Sequence, residues 1–180
     1  HPHEPFHAPH EYWDLYEDAE IEIPEFPDDL DETYSMMDRC LNAYHGTRRY
    51  NLRDPDGLRK LRRAYYGLVT YLDRKVGELL DTLEQTGLAD NTVVVFASDH
   101  GLLMGEHGMG GKSLLYDLAS KIPCFIYDPN LPRDLRGREV DELVSSLDIT
   151  RTLLDYAGIP ELDFMSGASL RPLVQGEDVV

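Results

Sequence analysis

The sequence predicts an α/β fold with a mostly parallel sheet flanked by helices, and three features of the chain carry that prediction. Leu58, Leu61, Tyr65, Val69, Leu72, Val76, Leu79, Leu80 and Leu83 recur at intervals of three and four, which is one apolar stripe along a long helix. Thr92 to Ser98 is a short β-branched run without alternation, the pattern of a strand buried on both faces. Helical and buried-strand segments then alternate towards the C-terminus, as they do in α/β domains.

Each element has local signals. Asp54-Pro55-Asp56 starts the long helix with a capping residue, a first-turn proline and a carboxylate near the positive helix end. Gly87 is its natural stop. The tyrosines at 65, 66 and 71 read as packing. Leu114 to Ser120 predicts a short helix, Ile122 to Tyr127 a second apolar strand closed by Asp128-Pro129, and Leu143-Val144 a third short strand. Asp148 is placed to cap a helix over 149–156, and Gly158 to end it. The chain divides into residues 1–53, an opening loop and acidic surface segment, and residues 54–180, a helix–strand core.

Composition bounds the function. The 180 residues hold 34 acidic and 17 basic side chains, a net charge of −17, and 42% hydrophobic residues. That apolar fraction excludes a disordered acidic tail. The negative charge excludes nucleic acid and an anionic membrane surface as partners, because phosphate binding needs clustered Lys and Arg. No apolar run reaches the 18 residues of a membrane span. Cys40 and Cys124 are too few for a disulfide framework. Between Asp14 and Glu32 lie ten acidic residues without one Lys or Arg, interrupted by Pro24 and Pro27, which reads as an extended, solvated segment. From Arg48 to Arg63 the balance inverts, and this basic run reads chiefly as surface charge offsetting the acidic one.

Chemistry concentrates between Ser98 and Lys112, where five of fifteen residues are glycine. Such density suits a backbone wrapped around a site. Asp99 and His100 follow the predicted strand at its C-terminal end, the edge where open α/β sheets bind ligands. An oxygen and a nitrogen donor there suit Ca²⁺, Mg²⁺, Mn²⁺ or Zn²⁺, with further ligands needed from elsewhere. Glu106 and His107 repeat the acid–imidazole pairing one loop later, and Lys112 follows three glycines in four positions, free to lie over an anion. The opening His1-Pro2-His3-Glu4-Pro5-Phe6 cannot form a helix and reads as a metal-binding tract, a purification remnant or an active-site loop.

In order along the chain, these residues resemble the sulfatase family of the alkaline phosphatase superfamily. The opening loop resembles the family's Pro-His-x-Pro-Phe segment. Thr92 to Gly101 resembles its metal-ligand strand, Gly105-Glu106-His107-Gly108 with Lys112 the loop ending in the substrate lysine, and Ser146 to Leu170 the tail of its catalytic domain. The nearest subgroup carries Asp-His at the metal and includes iduronate-sulfatase-like enzymes and phosphonate monoester hydrolases.

The resemblance implies an alkaline-phosphatase-like catalytic domain that hydrolyses a sulfate ester, with phosphodiester or phosphonate monoester hydrolysis as the alternative. It implies Asp99 and His100 as ligands of a divalent cation, calcium before manganese. It implies His3 and Lys112 as the catalytic residues touching the sulfate oxygens, and His107 as a loop-shaping or secondary substrate contact. The family's Cys/Ser-x-Pro-x-Arg motif, source of its formylglycine nucleophile, is missing here, as are the paired Asp residues of its first strand and its small C-terminal sheet domain. With His rather than Met at position 1, the chain is expected to be the later part of an incomplete catalytic domain, inactive alone, with Cys40 and Cys124 structural.

Overall fold

A computed structural model describes residues 3–26, 32, 34–41, 51–160 and 162–177. His1 and Pro2 of the opening loop, residues 27–31 of the acidic segment, and Arg48 and Arg49 of the basic run lie outside the described residues. Two compact units are present, His1–Thr82 with His100–Ile122, and Leu83–Asp99 with Pro123–Val180.

The first unit is built on the long helix. Helix α1 spans His10–Asp14, α2 Met36–Leu41 and α3 Pro55–Gln85. Asp54 caps α3 as the sequence predicts: its Oδ1 accepts from Asp56 N at 3.2 Å and its carbonyl from Leu58 N at 2.9 Å. Gly87 ends it at φ 70°, with Gly87 N donating to Glu84 O and Leu88 N to Leu83 O. The stripe is buried most deeply near its start, where Leu58 is 1% exposed, and Leu79 and Leu80 near its end are exposed.

The three tyrosines do pack, edge-on or tilted: Tyr65 against Phe6, Tyr71 against Tyr12 and Tyr66 against Tyr16. Gly67 is the contact that lets α1 approach, since a Cβ there would lie 3.0 Å from both Ala8 Cβ and the Tyr12 carbonyl. Short strands β2 (Leu103–Met104) and β3 (Gly110–Gly111) pair antiparallel as a hairpin, followed by helix α4 (Asp117–Ser120). Helix α4 is shorter than predicted; Leu114 is buried ahead of it in the cluster formed with Tyr34, Leu103 and Met109. From Asp18 to Phe26 the acidic segment runs without helix or strand, as expected, with Ile21 buried.

The second unit holds β1 (Val94–Ala97), β4 (Cys124–Tyr127), helix α5 (Ser146–Tyr156) and helix α6 (Arg171–Val174). Here the expectation of a mostly parallel sheet needs correction at the strand level. β1 and β4 are antiparallel, Val94 opposite Tyr127 and Ala97 opposite Cys124, and both pairings among the described residues are of this kind. A parallel neighbour needs a crossover that keeps the chain's direction. The connection from Ser98 to Pro123 folds into a hairpin instead and brings the chain back reversed.

Nor is β1 buried on both faces. It is half-buried, and in β4 half-buried Cys124 and Ile126 alternate with exposed Phe125 and Tyr127. Leu143 and Val144 form no strand, and Leu143 is fully exposed. Beside β4 lies a groove of about 680 Å³ bordered by Ile126, Leu131, Val140 and Leu173. Cys124 is a free thiol that burial pushes up, in keeping with a structural role, while Cys40 is exposed. Among the described residues no helix is long and apolar enough to cross a membrane.

The start of α5 shifts the predicted roles by three residues. Ser145 is the N-cap and Asp148 the reciprocal partner, with Ser145 N donating to Asp148 Oδ2 at 2.6 Å. Asp148 Oδ1 also accepts from Ala168 N at 2.8 Å, so one carboxylate ties the helix start to the Gly167–Leu170 tail. Further along, Ser169 and Arg171 both donate to Asp155, and these bonds hold its carboxyl below the usual range against the opposing effect of burial.

Among the described residues the Tyr156 hydroxyl is buried without a hydrogen bond of good geometry; burial, then the neighbouring Asp128 carboxylate, push it up to about 12. The folded state therefore holds this proton more tightly than the unfolded chain. Its contribution is complete below the ordinary value of 10.0 and is lost as pH rises towards about 12. Urea unfolding across that alkaline range is expected to show a shallower fall in stability for Tyr156→Phe than for the parent. Identical slopes would remove Tyr156 from the account.

Candidate active site

The candidate residues begin in the chain where β1 ends and continue through the segment that follows it. Ser98 N donates to Pro123 O at 3.3 Å, and Asp99 follows, exposed. His100 is half-buried. The chain is then fastened to α4: Gly101 N donates to Ala119 O at 2.8 Å and Leu102 N to Leu118 O at 3.0 Å. Only glycine fits at 101, because a Cβ would stand 1.9 Å from the Leu118 carbonyl oxygen.

The hairpin register then decides where Lys112 goes. Leu103 pairs with Gly111 and Met104 with Gly110, so Lys112 leaves β3 on the same side from which His100 enters β2. Lys112 Nζ lies 2.7 Å from His100 Nε2, and His100 Nδ1 lies 2.8 Å from Gly101 O. A carbonyl can only accept, so Nδ1 carries the ring proton and Nε2 accepts from the ammonium. This is the neutral tautomer that ligates metals, with its second nitrogen fixed by a backbone carbonyl.

The turn between the strands uses left-handed backbone at Gly105, Gly108 and, unusually for a side chain, His107 at φ 55°. His107 is exposed and stacks on Tyr116 at 4.4 Å between ring centroids and 21° between planes. That contact holds the ring against its own loop. Glu106 faces the opposite way. Its Oε2 accepts from Met104 N at 2.6 Å and its Oε1 from Arg62 Nη1 at 2.8 Å. The pairing of Glu106 with His107 in the sequence therefore does not become a second acid–imidazole couple.

His3 is exposed, with Nδ1 2.8 Å from Glu4 O. Its loop is anchored by Phe6, which is buried with Ala64 and Met104 and meets Tyr65 edge-on at 5.7 Å. One apolar cluster therefore holds the His3 loop, α3 and the hairpin strand β2. Among the described residues no group of three or more His, Cys, Asp or Glu could hold a metal ion. His100, its Nδ1 held on Gly101 O, and exposed Asp99 offer a nitrogen and an oxygen donor at adjacent positions in the chain.

Arg62 is the residue that sequence reasoning missed. It sits in the basic run read as surface charge, yet its side chain is 15% exposed. Burial alone would lower it, but the hydrogen bonds it donates to Tyr66 and Glu106 and the Glu106 charge hold it above its ordinary value. The spacing of Arg62 and Glu106, far apart in sequence, carries no local signal of their contact.

The chain belongs to the sulfatase family: the family model for Sulfatase matches residues 1–159. The fold is the alkaline-phosphatase-like α/β fold, represented in part and with few strands. Choline-sulfatase of Rhizobium meliloti (strain 1021) is 36% identical over 98% of this chain and 34% of its own length. Arylsulfatase of Clostridium perfringens (strain 13 / Type A) is 34% identical over 97% of this chain and 36% of its own length. Among solved structures, the phosphonate monoester hydrolase SpPMH from Silicibacter pomeroyi superposes with a TM-score of 0.87 at 29% identity, covering 99% of this chain and 36% of that one. The chain thus spans about a third of the length of the curated relatives it matches.

Proposed function

We propose that this chain supplies part of the active site of a metal-dependent sulfuric ester hydrolase. The observation that supports the reading best is the meeting of an ammonium and a neutral imidazole at 2.7 Å, at the open end of the β2–β3 hairpin. In an acidic protein this places a local positive charge where an anionic ester needs one. Asp99 and His100 would hold a divalent cation, calcium in the first instance and manganese as the alternative. When bound, that ion supplies Lewis-acid polarisation of the sulfate oxygens.

The chain's own groups do the rest. Lys112, pivoting from His100 Nε2, places its ammonium on a sulfate oxygen. His3 donates a hydrogen bond to the ester's bridging oxygen, where negative charge grows as the S–O bond breaks. His107, held on Tyr116, borders the leaving group. The nucleophile is the formylglycine of a Cys/Ser-x-Pro-x-Arg motif that these 180 residues do not contain. The substrate is a small-molecule or carbohydrate sulfate ester. The acidic Asp14–Glu32 segment favours a neutral or cationic alcohol over a polyanionic one, which agrees with the choline-sulfatase likeness.

The second reading, phosphonate monoester hydrolysis, is favoured by the TM-score of 0.87 to SpPMH. The deciding experiment is steady-state hydrolysis of an aryl sulfate and of a phosphonate monoester by the enzyme carrying this chain together with its nucleophile segment. Sulfate turnover is expected to dominate in kcat/KM and to fall about 100-fold in Lys112→Ala. Preference for the phosphonate would establish the second reading, and Lys112→Ala with parental turnover would remove Lys112 from the mechanism.

A further inference from the structure

We infer that Arg62 and Glu106 are positioning residues of the proposed site, clamping the 103–111 hairpin to helix α3 and so fixing where Lys112 meets His100. The inference rests on the functional reading for its meaning, but its geometry stands separately. Strand β3 is Gly110-Gly111 and has no side chain with which to pack. Its place is inherited from β2 through two paired positions, Leu103 with Gly111 and Met104 with Gly110. Whatever holds Met104 therefore holds the root of Lys112.

Arg62 and Glu106 hold Met104 by both backbone groups. Glu106 Oε2 accepts from Met104 N at 2.6 Å, Arg62 Nη1 donates to Met104 O at 3.2 Å, and the two side chains close the ring at 2.8 Å. The pair is 15% and 23% exposed, so salt screens it less than a surface pair. Among the described residues Arg62 Nε is buried without a hydrogen bond, a cost that an opportunistic surface arginine does not bear. Gly105 seals the arrangement: a Cβ there would lie 2.7 Å from Leu58 Cδ2 on the same face of α3.

An ion pair that merely stabilises the fold and one that aims a lysine differ in one measurable respect. If Arg62 acts through Lys112, its loss matters only while Lys112 is present. In the whole enzyme, Arg62→Met is expected to lower aryl sulfate turnover by up to about 100-fold, the cost of a misplacement near 1 Å. In a Lys112→Ala background the same change is expected to cost less than about threefold. Arg62→Lys, which keeps a charge on Glu106, retains more activity than Arg62→Met.

A second readout needs no turnover: the rate at which an amine-reactive reagent labels Lys112, followed by mass spectrometry, is expected to rise several-fold in Arg62→Met. Should Arg62→Met not fold, Arg62→Lys and Glu106→Gln serve both measurements. Equal losses in the two backgrounds, or an unchanged labelling rate, would overturn the clamp. Absence of turnover in the parent enzyme would instead sink the functional reading, and the labelling rate would still decide the clamp.

Discussion

Replacing Asp99 or His100 with alanine is expected to abolish sulfate-ester turnover and to lower the metal content of the enzyme together. Each substitution removes one donor from the proposed cation. The carboxylate is the hard, anionic ligand, and its loss removes a full negative charge from beside the ion. The imidazole is a neutral donor whose Nδ1–H is pinned 2.8 Å from Gly101 O, so its Nε2 is oriented before anything binds. Losing a preplaced electrostatic partner of this kind costs on the order of a thousand-fold in turnover. His100→Ala also removes the acceptor that holds the Lys112 ammonium at 2.7 Å while no cation is bound.

Turnover of an aryl sulfate and elemental analysis of the purified variants measure the two effects independently. Parental activity and metal content in both variants would defeat the assignment. Loss of activity with metal retained would move these residues from the ligand set to substrate contact. Thermal unfolding separates either outcome from simple collapse: Asp99 is exposed and His100 half-buried, and neither sits in the packed clusters around Met104 and Met109.

The elements that were legible in the sequence are those fixed by short-range rules. Asp54-Pro55 and Gly87 bracket α3 because capping and left-handed glycine act within one turn of helix. The meeting of His100 with Lys112 was within reach for the same reason, as the two are only twelve residues apart. Strand direction was not: β1 and β4 pair antiparallel because of what the connection between them does, and a run of Val and Ile reads the same in either orientation. Leu143-Val144 shows the same limit, since two apolar residues promise a strand only if a ladder partner exists. Arg62 and Glu106 were invisible as a pair, because their contact depends on how the hairpin lies on α3. Asp148 was read as the cap when it is the capping partner, a shift of three residues that a Ser-x-x-Asp box resolves once Ser145 is counted.

Gly101→Ala is expected to be the most damaging small substitution in the chain, destabilising the protein by about 3 kcal/mol and disabling the site. The added methyl would meet Leu118 O at 1.9 Å and Leu118 C at 2.9 Å, and both are backbone atoms. No rotamer change relieves such a clash. Relief requires the 101–102 segment and residues 118–119 to part, which breaks the bonds from Gly101 N to Ala119 O and from Leu102 N to Leu118 O. The displaced segment lies between His100 and strand β2, so the separation of His100 from Lys112 changes with it. Gly77→Ala in the body of α3 is the matched control, since among the described residues nothing lies within 4 Å of a Cβ there. Removing a flexible glycine from a helix interior is expected to stabilise by up to about 1 kcal/mol. Urea unfolding of the two variants should therefore move the midpoint in opposite directions. If Gly101→Ala unfolds at the parental midpoint, the close approach at Leu118 is not present in solution. If it unfolds early but keeps the rate of Lys112 labelling, the corner carries stability without setting the lysine.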